Sequence, residues 1–437
     1  METHFLQVGR AGARSVSKLA MFLLGCSGLF LADGGNAQER ESSAGEKAAQ
    51  ALKESAQAEA GQYNIHYGPL GFQVGAGLRL GYTDNVFYSE VNRMDDFLIR
   101  PEVDLGAFMQ VSELNTLKLS IKLAYEYYLR NHVLNSDAPL VNPGSELAFN
   151  LFVGDFHIRP HERFSYQESL FFNGVVGGDG TFFNFNNVGT FARLDNHAGL
   201  DVTWDLDKVM LTTGYDHENF NSPTTSFEYL DRASEWFTAS AGYFLGDHVE
   251  TGMEGQASWH HYEQETVLND HWRGQGGPFM EATLLEGVKL RAGGGYDVAR
   301  YDAAGRSTSD YNSWHAYGRI SERTRLFSHS VEAGRENVLG DNANNMRSTY
   351  VRYRISSPII AHVDLGANVS FNMAEESGGP SGFDENFTYY GAGFEAGYQF
   401  HKHWRANLGY QFWYKDSDLG LRNFHRNQVT VELVWSL

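Results

Sequence analysis

Arg426-Asn-Gln-Val-Thr-Val-Glu-Leu-Val-Trp-Ser-Leu437 alternates with a period of two. Val429, Val431, Leu433, Trp435 and Leu437 share one face; Gln428, Thr430, Glu432 and Ser436 share the other, where Val434 is the one apolar residue. Successive side chains of a strand point to opposite faces, so this stretch reads as one strand with a continuous apolar face. Such a face needs an apolar medium to touch. A protein core inside a soluble sandwich is one candidate, and membrane lipid around a barrel is the other. Recurrence of the pattern upstream decides between them.

It recurs from Leu70 onward. Phe72, Val74, Ala76, Leu78, Leu80 and Tyr82 alternate with Gln73, Gly75, Gly77, Arg79 and Gly81. Ile99, Val103, Leu105 and Ala107 then alternate with Arg100, Glu102, Asp104 and Gly106, and Leu117 to Tyr127 alternate with Lys118, Ser120, Lys122, Ala124 and Glu126. Charges keep to one face through three consecutive strands, and a slip of one residue would send all of them into the apolar phase. Similar segments follow, among them Leu147 to Val153, Ala192 to Trp204, Val249 to Trp259, Val288 to Val298, Ile359 to Met373 and Trp404 to Tyr414. The count is about eighteen, even as in single-chain bacterial barrels, with sixteen to eighteen as the range. Three places disturb the pattern. Glu168 stands in phase with Phe164, Tyr166, Leu170 and Phe172, which means a bulge or a phase error. Pro101 lies on the apolar face of the second strand and Pro278 opens the tenth, and each lacks the N–H that a ladder uses.

The connections alternate in length. Gln110 to Leu114, Asp205 to Lys208, Gly246-Asp247, Leu285 to Gly287 and Phe400 to His403 are short; Asn131 to Gly144, Gly174 to Gly189, His217 to Phe227, Val338 to Met346 and Glu375 to Glu385 are long and polar. Short periplasmic turns and long extracellular loops are the layout of an outer-membrane barrel. A soluble sandwich has no reason to sort its loops by side. The reading is therefore all-β: a transmembrane antiparallel β-barrel over residues 70–437.

The 437 residues carry a formal net charge of -20, with 30 Phe, 23 Tyr, 47 Gly and 9 Pro. Abundant aromatics and scarce proline suit extended ladders. An acidic balance argues against nucleic acid as a partner, because phosphate backbones need concentrated Lys and Arg. Arg10, Arg14 and Lys18 precede the apolar run Leu19 to Ala32, and Gly35-Asn-Ala37 supplies the small residues of a cleavage site. Residues 1–37 read as an export signal and 38–69 as a periplasmic leader, partly helical or disordered. The sequence has 1 Cys, Cys26. It lies in the signal, so no disulfide supports the barrel.

Gly77-Leu-Arg-Leu-Gly-Tyr-Thr-Asp-Asn-Val-Phe87 resembles the opening strand of the β-barrel porin type 2 family of bacterial outer-membrane proteins. In that family a Gly-Tyr-(Thr/Ser/Asp)-(Asp/Glu)-Asn-(Val/Ile)-Phe segment leads into the first external loop. The resemblance runs loosely from Phe72 to Leu437, and Leu437 stands where such barrels commonly end in Phe. It implies outer-membrane lipid and the barrel-insertion machinery as partners. It further implies a passage for secreted exopolysaccharide, working with periplasmic polysaccharide-export proteins.

No nucleotide loop, zinc helix or nucleophile elbow occurs, so no catalytic residue, cofactor or metal ligand is assigned. His260 and His261 point to opposite faces of a strand, and His401 and His403 lie in a turn without carboxylate or thiol ligands. Functional signal rests on the charged phase. Arg79, Arg100, Glu102, Asp104, Lys118, Lys122, Glu126, Arg193, Asp201, Glu250, Glu254, Arg291, Arg352, Arg354, Asp364, Glu395 and Arg405 are the candidates to line a lumen, with Asp195, Asp216, Glu281, Lys289 and Asp297 in the same phase. They form either cross-strand ion pairs or rings that select solutes. Trp236, Tyr317, Tyr389 and Trp413 are the inward aromatic candidates, for sugar stacking or for packing beneath an infolded loop, with 174–187 as that loop. Tyr82, Trp204, Tyr215, Tyr243, Trp259, Tyr398 and Trp435 are the expected lipid-interface girdle. The functions in contention are a polar conduit for exopolysaccharide, a general diffusion porin for small hydrophilic solutes, and a plugged structural or adhesive barrel.

Overall fold

A computed structural model describes residues 63–169, 184, 190–302, 310–360 and 362–437. The expected signal and the helical part of the leader lie outside the described residues. Among those described, eighteen long strands run antiparallel to their neighbours. They are β1 (Leu70–Thr83), β2 (Asp96–Gln110), β3 (Thr116–Ala124, resumed at Tyr127–Tyr128), β4 (Leu140–Val153), β5 (Phe156–Ser169) and β6 (Thr190–Asp205). The wall continues with β7 (Val209–Asn221), β8 (Arg232–Phe244), β9 (Val249–Tyr262), β10 (His271–Leu285), β11 (Val288–Tyr301) and β12 (Tyr311–Arg323). It finishes with β13 (Ser328–Leu339), β14 (Asn345–Ile360), β15 (Val363–Ser377), β16 (Glu385–His401), β17 (Trp404–Ser417) and β18 (Phe424–Ser436). Each strand pairs with the next, and β18 pairs with β1 from Gly75↔Ser436 to Thr83↔Gln428, which closes the barrel.

The terminal strand behaves as its alternation requires. Val431 and Leu433 lie across from Leu80 and Leu78 on one face, and Glu432 lies across from Arg79 on the other. The apolar face is exposed: Leu78, Leu80, Val103, Leu105, Val431 and Leu433 are all among the large hydrophobic residues left uncovered. The charged face is the inner one. Its side chains reach partners on strands that are not neighbours, as Arg100 on β2 does with Asn142 on β4 and Arg273 on β10 with Asn337 on β13. Only a concave surface permits such reach.

The connections sort by end. Turns 154–155, 206–208, 245–248, 286–287 and 402–403 lie at one end, with longer stretches such as 84–95, 222–231, 263–270 and 418–423 at the other. Several strands run beyond the bounds of the sequence reading: β4 begins at Leu140 inside the expected loop 131–144, β7 runs to Asn221 inside the expected loop 217–227, and β10 begins at His271. Two further boundaries differ for a local reason. Ile359 to Met373 is two strands, because His362 takes a left-handed turn (φ 73°) between β14 and β15. Pro278 sits in mid-strand rather than at the start of β10, and the β10–β11 ladder lapses at 277–278 and resumes in register at Phe279↔Gly293. Pro101 acts as expected: β3 stops at Ala124 and resumes at Tyr127, on either side of the point opposite the proline. Glu168 is a bulge, with the β5–β6 register shifting between Gln167 and Ser169.

The leader also differs from its expected form at its end. Ile65–Tyr67 is a short strand that pairs back on Leu70–Phe72. Tyr63 is buried and stacks on the inward Phe108 at 5.3 Å. Gly71 and Gly106 make room for it: a Cβ at Gly71 would stand 2.8 Å from Tyr63 Cβ, and one at Gly106 would stand 3.2 Å from its ring.

Candidate functional site

The site is the inner face. Period two puts every charged candidate on it, and cross-strand register then pairs most of them. Arg79 Nη2 donates to Glu432 at 2.6 Å and stands 3.6 Å from Glu102. Arg100, 5% exposed, donates to Glu102 at 2.7 Å and contacts Glu126 and Asn142. Asp104 lies opposite Lys122, and Lys118 opposite Phe108 and Ala148. Arg159 bridges Glu146 (2.5 Å) and Asp201 (3.4 Å), and Arg193 donates to Gln167 at 2.7 Å. Arg291 joins Glu254 at 2.8 Å to Glu281 at 3.0 Å, Arg405 meets Asp364 at 2.8 Å, and Arg352 lies 3.6 Å from Glu332. Glu250 faces Glu281 across the β9–β10 ladder, and Glu395 faces Gly366. Wall-spanning pairs of this kind hold strands together at about 0.2–1 kcal/mol each when solvated. Removing one partner of a buried pair is far more disruptive, about 3–5 kcal/mol.

The four inward aromatics are held in packing or hydrogen bonds. Trp236 Nε1 donates to Glu218 at 2.8 Å with its ring edge-on to His260, and the Tyr317 hydroxyl contacts Glu254. Tyr389 is buried with Tyr88, Phe387 and Phe424, and Trp413 packs on the same cluster. Of the four, Tyr389 and Trp413 border a cavity of about 910 Å³ that runs along the inner faces of β12–β18 and β1. The outward aromatics stand in two tiers. Trp204, Tyr243, Tyr398 and Trp435 lie near the short-turn end, and Tyr82 and Trp259 near the long-loop end. Tyr215 lies tilted against Phe237 at 5.0 Å on the same outward phase, farther from the strand ends than the other six.

The long-loop mouth is narrowed by a departure from the cylinder that periodicity does not reveal. β12 and β13 pair only from Arg323↔Ser328 to Ala316↔Arg335; above that, β13 keeps its ladder with β14 but leaves β12. The freed end turns inward. Asn337 Nδ2 donates to Asp297 of β11 at 2.8 Å, and Arg273 of β10 contacts the Asn337 carbonyl. The tip beyond it is bonded to other loops: Asn344 Oδ1 accepts from Asn269 N at 2.9 Å, and the Tyr301 hydroxyl donates to Asn344 O at 2.8 Å. The sequence marks this tip as Gly340-Asp-Asn-Ala-Asn-Asn345, a run whose short amides suit local backbone bonds, although its direction is not encoded there.

Asn184 completes the narrowing. Most of the candidate loop 174–187 lies outside the described residues, but Asn184 is described and fully buried among the 340–344 tip, β15–β17 and the loop after β17. Its N donates to Asp341 at 2.7 Å, and its Nδ2 to Glu376 at 2.9 Å and Glu385 at 2.6 Å. Lys415 Nζ donates to its Oδ1 at 2.5 Å and to Glu385 at 2.7 Å, while Arg422 donates to its carbonyl at 2.7 Å and to Glu385 at 2.9 Å. Three carboxylates thus share two cations. Burial, and then the neighbouring Glu376, push the Asp341 carboxyl well above its ordinary range, so it holds a proton when an exposed aspartate would not.

The segment that carries the family resemblance has a definite mechanical role. Asp84 accepts from Asn427 N and Nδ2, both at 2.7 Å. Asn85, fully buried, donates to Ser89 O at 2.8 Å and His425 O at 2.9 Å and accepts from Ser89 N at 2.9 Å. Thr83 Oγ1 accepts from Arg426 Nε at 3.0 Å, and Arg426 also contacts the Tyr88 hydroxyl and lies over its ring at 4.5 Å. The motif clasps the first strand to the last.

Histidines do not gather into a metal centre at the two places sequence flagged. His260 is buried between Ser234 and Ser258 at 2.9 Å each, and His261 faces outward against Asp270. His401 and His403 have rings 5.7 Å apart in a turn. A different trio, Asp195, His197 and Glu218, brings its ligand atoms within 4.8 Å, but Arg232 holds Glu218 at 2.5 Å and supplies the positive charge there. Sequence reasoning missed Arg159, Arg273, Arg319 and Lys415 on the inner face. Parity alone places Arg319 there, since it lies opposite Arg291 and Glu332.

No protein-family model matches the chain, and no curated protein matches it in sequence. Among solved structures it is similar to the outer membrane protein OpdK from Pseudomonas aeruginosa, at 14% identity and a TM-score of 0.48, covering 84% of this chain and 99% of that one. It is similar to OccK2 (OpdF) from the same organism at 11% identity and a TM-score of 0.49, covering 84% and 98%. OccAB3 of Acinetobacter baumannii follows at 9% identity and 0.46, covering 84% and 99%.

Proposed function

We propose that the chain is an outer-membrane porin-like channel, with the short turns in the periplasm and the long-loop mouth outside, passing small hydrophilic solutes. The observation that carries this reading is the opposition of its two surfaces. The outer face is an apolar band between tiers of aromatic residues, and the inner face is charged and encloses a cavity of about 910 Å³. A strand of 14 residues such as β1 rises roughly 35 Å at ~3.3 Å per residue and ~40° tilt, enough to cross the apolar layer. Eighteen strands make a cylinder too wide for its own side chains to fill.

Solute size is set by the mouth. The inturned end of β13 and the Asn184 cluster stand where a polymer would pass, so small solutes fit this arrangement better than a polysaccharide chain. Exopolysaccharide export, implied by the family resemblance, requires the bonds of Asn184 to Asp341, Glu376 and Glu385 to open, with periplasmic export proteins as the partners that would drive it. Purified protein in planar bilayers tests the main reading. Stable conductance steps are the expected result, and a silent bilayer from folded, inserted protein overturns it.

A further inference from the structure

Arg319 and Arg354 differ from the other inner-face arginines. Arg79, Arg100, Arg159, Arg232, Arg273, Arg291 and Arg405 each hold a carboxylate. Arg319 and Arg354 have no hydrogen-bond, ion-pair or ring partner among the described residues, and both border the 910 Å³ cavity. Register places them together. Arg319 on β12 lies opposite Glu332 on β13, and Glu332 lies opposite Arg352 on β14, with Arg354 two residues along. Two strand spacings and a two-residue offset put the two backbone positions ~12 Å apart, within the joint reach of two arginine side chains. Arg352 takes up Glu332 at 3.6 Å and lies over Tyr350 at 4.2 Å, so the nearest carboxylate is already engaged.

We propose that this corner of the cavity is an anion subsite for a small polyhydroxylated carboxylate such as a sugar acid. The inference rests on the channel reading and names its solute class. A guanidinium offers a planar fork of N–H donors that matches a carboxylate in two-point contact, and it never loses its charge. Two such forks without a protein acceptor in a water-filled cavity are set for an anion from solution. The rest of the lining supplies neutral partners for hydroxyls: Ser330 and Ser356 beside the arginines, then Asn368, Ser370 and Gln411 along the wall. Glu395, two strands from Arg354 and with no cation partner among the described residues, accepts from hydroxyls and repels a second negative charge.

The test is calorimetric titration of the folded, detergent-solubilised full chain at fixed ionic strength with galacturonate, galactose and inorganic phosphate, alongside planar-bilayer conductance. Galacturonate is expected to bind at least about tenfold more tightly than either of the others, and Arg319→Ser plus Arg354→Ser to remove that preference. Lys208→Gln, in the short turn 206–208, serves as the control and should keep it. Heat-modifiable gel mobility verifies that each variant is a folded barrel. Equal binding of galactose, phosphate as tight as galacturonate, or a preference that survives the double substitution overturns the subsite. Conductance without the preference removes the subsite and leaves the channel, whereas the preference in a silent barrel removes the channel and leaves the subsite.

Discussion

Two seams of the wall respond oppositely at the long-loop end. Where β1 meets β18, side chains lock the ladder: Asp84 on Asn427, Asn85 on His425, and Arg426 on Thr83 and Tyr88. Where β12 meets β13, the ladder ends after eight residue pairs and the upper strand turns into the barrel. The first seam joins the first and last strands of the barrel, so no covalent hairpin holds it and side chains must. The second has a turn at its base, at 324–327, and can lose its upper ladder without opening the barrel. Covalent connectivity therefore decides where a closed sheet can spare backbone bonds, and this chain uses the spare strand end to narrow its mouth.

The largest expected effect comes from the locked seam. Arg426→Ala removes a buried guanidinium together with its bonds to Thr83 and Tyr88, and is expected to cost about 3–5 kcal/mol, from two hydrogen bonds to a charged group at about 1.5–3 kcal/mol each. The readout is the urea midpoint of the folded, fast-migrating form on unheated gels; an unchanged midpoint would mean that the backbone ladder alone closes the barrel. Asp84→Ala strips two bonds from a site that water can partly refill, so a loss of about 1–3 kcal/mol is expected in the same assay.

The open seam gives the next effect. Asn337→Ala together with Arg273→Gln frees the inturned end of β13, and single-channel conductance should rise about twofold or more. Conductance equal to the parent would show that the narrowing lies elsewhere.

Acidity acts on the same narrowing through Asp341. Its folded pKa is raised above the ordinary 3.8, so the stabilisation that it lends the Asn184 cluster is complete below that value and is lost as pH rises through the folded pKa. Conductance should therefore be lowest in acid and climb with pH, and Asp341→Asn should hold the low-pH state throughout. A parent channel with flat conductance from pH 4 to 8 would remove Asp341 from the mouth. The smallest effect belongs to the lipid face: Trp204→Ala, which breaks stacking on Phe156 at 5.2 Å, should cost about 0.5–1.5 kcal/mol in either seam background.

Much of this was legible in the chain. Alternation is a property of backbone geometry, so it located all eighteen strands and sorted Arg79 from Leu78 and Glu432 from Leu433. Glu168 and Pro101 announced their irregularities because a charge out of phase and a missing N–H are visible without coordinates. The inward turn of β13 was not legible. Asn337 belongs to the outward phase by count, yet it bonds to the inward Asp297, because phase ceases to report direction once a strand leaves its neighbour. Nor could sequence tell paired arginines from free ones. Arg79 and Arg100 read as either ion pairs or solute contacts until register showed Glu432, Glu102 and Glu126 beside them, while Arg319 went unremarked.

The short strand Ile65–Tyr67 has a consequence for solubility in the cell envelope. β1 extends past the last residues of β18, so its segment Leu70–Phe72 would present bare amides and carbonyls along one margin, a template for adhesion between copies. The hairpin folds back to occupy that margin. Deleting residues 65–67 should yield barrels that still conduct singly yet cluster into chains, visible as oligomer ladders after crosslinking.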